Sequence, residues 1–129
     1  MEDELEKPIG TKEKQRLLAG SVIVEDVTIA ERPTKKGGKV KIVNFHCNHP
    51  DADELIVLSN VKIKLTQGNN ETIKKDALWY HLDEDQNIRK DSNVAILLKY
   101  YKRDNLKQFI HTAITTEADA EGYLCIKAY

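Results

Sequence analysis

Cysteine is nearly missing from this chain. Cys47 and Cys125 are the only two, and their spacing sets out no disulfide framework. Both thiols are expected to be reduced, as in an intracellular protein. No run of about 18 apolar residues occurs, which excludes a helical membrane span. The opening MEDELEKPIG is acidic and has no apolar stretch, so no secretory signal is expected and the location is read as cytoplasmic. A strong charge of one sign is lacking too. The net charge is −1, so no global basic field advertises a polyanion partner, although a local patch can still hold one. Catalytic signatures are absent: there is no G-x-S-x-G, no phosphate-cradling glycine loop, no paired CxxC and no HExxH. Carboxylates are plentiful, but their spacing selects no acid–base pair. The chain is therefore read as non-enzymatic, with no cofactor.

What remains is a chain of 129 residues, 40% apolar and 32% charged. That composition fits one soluble domain with a heavily charged surface, long enough to bury a core without disulfides or a metal. Residues 1–16 are polar and charged and are expected to form a flexible segment, with the folded domain over 17–129. SVIVEDVTIAER, from Ser21, reads as a long β-branched strand. Its apolar phase slips between Val22 and Val24 and then Val27 and Ile29, and a β-bulge near Glu25 and Asp26 would return all four to one face. A turn with Pro33, Gly37 and Gly38 leads to a second strand over residues 39–47. A third strand over 55–65 alternates, with Val57, Ser59, Val61, Ile63 and Leu65 expected on the buried face. The segment IKKDALWYHL is either a short strand or irregular. Val94, Leu97, Leu98 and Tyr101 then form one helical stripe, with Asp91 or Ser92 as its cap. A short helical turn over 104–110 follows, and the chain ends in a hairpin with strands over 112–117 and 123–128.

The order is strand, strand, strand, helix, strand, strand. In this order of elements, over residues 18–129, the chain resembles OB-fold proteins that bind single-stranded nucleic acid. The resemblance rests on element order and loop placement, with no family-specific motif. It implies a mostly β fold, a small five-stranded Greek-key barrel with one main helix between strands three and four. The long segment 66–90, which holds the only tryptophan, departs from that plan. The resemblance also implies a ligand face on strands two and three, flanked by the loops joining strands one to two and four to five.

LLKYYKR (residues 97–103) looks like a grip of rings and cations, but its Tyr101 lies on the apolar stripe and reads as core. The implied ligand face is the better candidate. Arg32, Lys35 and Lys36 sit in the first loop. Lys39, Lys41 and Phe45 point outward if Val40 and Ile42 point in. The opposite phase, with Val43, Phe45 and Cys47 buried, stays open. Lys62 and Lys64 lie on the polar face of strand three. Tyr123 and Lys127 point outward from the last strand. Residues 32–46 hold five cations and no carboxylate. Trp79 either packs the base of the barrel or stacks on a base. Cations tracking phosphates beside flat rings suit a single strand of any sequence, while exposed lysines on strands also serve to discourage edge pairing.

His46, Cys47 and His49 suggest a metal site, but zinc sites pair their ligands at a regular spacing twice over, and the second pair is missing. DEDQNI begins like a calcium loop, yet Ile88 stands where glycine and Val94 where glutamate are needed. The resulting expectation is a non-catalytic binder of single-stranded DNA or RNA, DNA ahead of RNA by analogy. The alternative is a protein–protein adaptor of the same fold. The oligomeric state is left as monomer or homodimer. The acidic residues Glu2, Asp3, Glu4 and Glu6 are a candidate competitor for the basic face.

Overall fold

The computed structural model describes residues 4–6, 9 and 17–129, so most of the expected N-terminal segment, 1–16, lies outside the described residues. Among the described residues the protein is mostly β, with one α-helix. The elements are β1 (Ser21–Pro33), β2 (Lys39–Asn48), β3 (Ile56–Leu58), β4 (Asn60–Gln67), β5 (Asn70–Ala77), α1 (Asn93–Tyr101), β6 (Ala113–Ala118) and β7 (Leu124–Ala128).

The expected five-stranded Greek-key barrel, with its helix between strands three and four, is corrected on two points. Seven strands form a mixed, open order, β3-β2-β1-β6-β7-β4-β5, and the helix falls between the fifth and sixth strands. Both differences arise at the expected third strand. It breaks at Ser59, where the side-chain alternation flips. Leu58 is buried and Val57 is 53% exposed, whereas Val61 and Ile63 are buried in β4. The two halves also choose different partners. β3 pairs antiparallel with β2, and β4 pairs in parallel with β7. The extra strand is β5, whose sequence NETIKKDA has no apolar alternation. It is held by an eight-pair antiparallel ladder to β4. Gly68, at φ 60°, takes the first central position of the two-residue turn between them, where a type II′ turn carries glycine.

The long first strand bends as its apolar phase requires. The β1–β2 register shifts between Val24 and Asp26, which leaves Glu25 as the bulged residue. Val22 and Val24 are buried, and Val27 packs against the core, but Ile29 is 46% exposed because the β1–β2 hairpin runs past the end of the core. β2 supplies Val43, Phe45 and Cys47 to the interior. The Phe45 ring meets Phe109 edge to face, with centroids 5.2 Å apart.

Helix α1 packs on β4 and β7 and buries Val94, Ala95, Leu97 and Leu98. Ser92 caps it, its Oγ accepting from Ala95 N at 3.2 Å. Lys102, in the left-handed region at φ 57°, ends it. Tyr101 ties the helix to the sheet. Its hydroxyl donates to Lys127 O at 2.7 Å and accepts from Thr115 N at 3.0 Å.

Candidate nucleic-acid interface

The expected site residues fall into two groups. Arg32, Lys35, Lys36, Lys39 and Lys41 lie on the β1–β2 hairpin, and all five are exposed. Thr34 organises the tip: its N–H donates to Gly38 O at 2.8 Å, and its Oγ1 accepts from Gly38 N at 3.0 Å. Gly37, at φ 84°, lets the chain reverse. Two-residue alternation puts Lys39 and Lys41 on the same side of β2 as Val43 and Phe45. Beyond the core that side meets solvent instead of packing, so lysine suits it. Among the described residues these five cations make one ion pair, Lys39 with Glu31 at 3.8 Å, and both side chains are exposed.

Trp79 stands at the base of this hairpin. It is the bridge partner of Ile42, and Val43 N donates to Leu78 O while Tyr80 N donates to Lys41 O, both at 2.8 Å. Segment 78–80 thus extends the sheet beside the first half of β2. Trp79 shares a face with Ile42, opposite the side on which Leu78 is buried, and is itself partly exposed.

The second group sits on β4 and β7, where Lys62 is directly opposite Lys127 and also opposite Lys75 of β5. Here the cations are already engaged. Lys62 Nζ donates to Ala118 O at 2.7 Å and to Glu117 Oε1 at 3.2 Å, and its side chain is 16% exposed. Lys64 pairs with Glu71 at 2.9 Å, and Lys75 with Asp119 at 2.7 Å. Glu117 also accepts from the Tyr129 hydroxyl, and that bond, followed by the one from Lys62, holds its carboxyl below the usual value. Lys127 lies over the Tyr129 ring, 4.9 Å from its centroid. The hydrogen bond from Lys75, with those from the Tyr123 and Glu121 amides, lowers Asp119 to about 2.

Phe45 leaves the outward set, because strand two adopts the phase that buries Val43, Phe45 and Cys47. Tyr123 is 48% exposed beside the β6–β7 loop. β6 runs antiparallel to β1 and pairs with its first residues, so that loop lies at the opposite end of β1 from the hairpin. Of the hairpin cations, Arg32 shares the face of Trp79 through its pairing with Val40, whereas Lys39 and Lys41 lie on the other face; Lys62 and Lys127 are neighbours, and the hairpin and sheet groups are separate. Lys75, Glu117 and Asp119 escaped the reading of the sequence. The turn residues Gly68 and Asn69 were the available signal for the β4–β5 hairpin that carries Lys75.

The metal and calcium candidates have other uses. His46 Nε2 lies 2.8 Å from Thr28 Oγ1. His49 is buried between Leu18 O and Asp51 N, at 2.8 and 3.0 Å. Burial, followed by the charge of Glu25, pushes the Cys47 thiol up to about 12. Asp83 Oδ1 accepts from the amides of Asp85 and Asn87, which closes the 83–87 turn. Among the described residues no group of three His, Cys, Asp or Glu side chains could hold a metal ion, and no helix is long and apolar enough to cross a membrane. Compared with known proteins, the chain matches no family model, no curated protein and no solved structure.

Proposed function

We propose that this protein binds single-stranded nucleic acid, DNA ahead of RNA, through the β1–β2 hairpin and without catalysis. One observation carries the reading. Five exposed cations project on a hairpin that overhangs the core, and among the described residues a single carboxylate answers them. Elsewhere on the sheet lysines are matched by Glu117, Asp119 and Glu71. A near-neutral protein that gathers five cations on one projecting arm, with one carboxylate to answer them, suits a polyanion. The arm would follow phosphates and release their counterions, and the partly exposed ring of Trp79 at its base would stack on a base.

The strand order supports the finer OB-like reading of the fold. β6 returns to lie beside β1, so β6-β1-β2-β3 has the Greek-key order. Taken as one strand bent at Ser59, β3 and β4 would link β2 to β7 around the shared core, with β5 as an addition to that plan. In OB-folds the loop joining the first two strands flanks the ligand face.

The test is fluorescence anisotropy of a labelled single strand of about 20 nucleotides, long enough for one OB-type site. Duplex DNA and single-stranded RNA run alongside. Micromolar binding that favours the single strand supports the proposal, and no binding at tens of micromolar in low salt contradicts it.

A further inference from the structure

A cleft between the 82–90 loop and the C-terminal end of α1 takes no part in the hairpin reading. Its volume is about 580 Å3, within the size range of small-ligand sites. Tyr80, Leu82, Ile88 and Leu98 give it an apolar wall. Lys90, Lys99 and Arg103 bring three positive charges to the lining, against one carboxylate, Asp104. Among the described residues none of these three cations is held in an ion pair. Arg103 Nε is also buried without a hydrogen-bond partner. The Nε has no access to solvent, so a ligand in the cleft would meet Arg103 through its terminal guanidinium nitrogens.

Cations at a helix C-terminus have a structural use, since they answer the negative end of the helix dipole. Here the terminal carbonyls are already bonded within the chain: Arg103 N donates to Leu98 O at 2.9 Å and Lys102 N to Lys99 O at 3.2 Å. That capping leaves the dipole itself in place, but it takes up two of the carbonyls the side chains would otherwise serve.

We propose that this cleft binds a small organic phosphomonoester. The phosphate would lie among Lys90, Lys99 and Arg103, and a planar or apolar body would lie against Tyr80 and Leu98. Three cations suit a dianion better than a single carboxylate, and the guanidinium fork matches phosphate oxygens. The site is separate from the hairpin and stands if the nucleic-acid reading fails.

The probe is phenyl phosphate, titrated into the full chain and followed by amide NMR, with phenol and inorganic phosphate as controls. Saturable shifts are expected over 82–90 and 98–105, and none over 34–38 at the hairpin tip. Each control should bind at least about 10-fold more weakly, and Arg103→Gln should weaken phenyl phosphate at least about 10-fold, or about 1.4 kcal/mol. Should Arg103→Gln fail to fold, Lys99→Gln, at an exposed helical position, should weaken the probe in the same direction. Shifts confined to the hairpin, the absence of saturable shifts, or unchanged affinity in the folded variant would overturn the proposal. So would equal binding of inorganic phosphate, which would mark an adventitious ion only.

Discussion

At Lys62 the ammonium group serves Glu117 and Ala118 O from a largely buried side chain. Lys62→Ala should lower stability by about 1 kcal/mol, because two partly buried acceptors lose a donor. Urea unfolding measures this, and the folded variant should bind a single strand as the wild type does. Phe45→Ala should behave likewise on a larger scale, losing about 3–5 kcal/mol through the cavity left against Phe109. Phe45 looked like a ligand contact in the sequence because alternation alone cannot say which of two apolar phases faces the core; Lys62 did because its partner Glu117 comes from a strand distant in sequence. Cys47 is fully buried and its thiol is pushed up to about 12. A thiol reagent at neutral pH should leave it unlabelled in the folded protein and label it rapidly in denaturant.

The β6–β7 loop shows how charge and turn geometry are joined within an element. Asp119 accepts from the Glu121 and Tyr123 amides and pairs with Lys75. Its pKa falls from 3.8 to about 2 on folding. The stabilisation is therefore present in full above 3.8 and is lost as pH falls from there towards 2. Thermal unfolding of the wild type and Asp119→Asn should differ near neutral pH and converge in that acid window. A constant gap would contradict the role given to the carboxylate. Elements with a strong period were legible in the sequence. The stripe of α1 and the bulge in β1 follow directly from apolar spacing, and of the two cap candidates, Asp91 and Ser92, the structure uses Ser92. β5 was hidden because all its stabilisation comes from pairing with β4, and its own residues carry no buried face. The break at Ser59 was hidden for a related reason: LIVLSNVKIKL alternates in composition, while partner choice sets the flip.

Across the whole molecule the charge is balanced but unevenly distributed. A net charge of −1 conceals an exposed basic hairpin and a sheet region where lysines and carboxylates neutralise one another. The composition revealed the five-cation stretch, but not the separation of the two lysine groups, which depends on which strands become neighbours. Self-neutralised lysines contribute little to a distant phosphate, so the hairpin should supply the electrostatic part of binding. The most direct measurement is the salt dependence of single-stranded DNA binding between about 50 and 200 mM salt. Two triple variants are compared with the wild type: Lys35, Lys36 and Lys39 to Ala, and Lys62, Lys64 and Lys127 to Ala. The hairpin variant should lower the slope of log affinity against log salt by about 2, at roughly 0.7 for each lost phosphate contact. The sheet variant should leave the slope unchanged. A slope carried instead by the sheet lysines, or untouched by either variant, would contradict a hairpin grip.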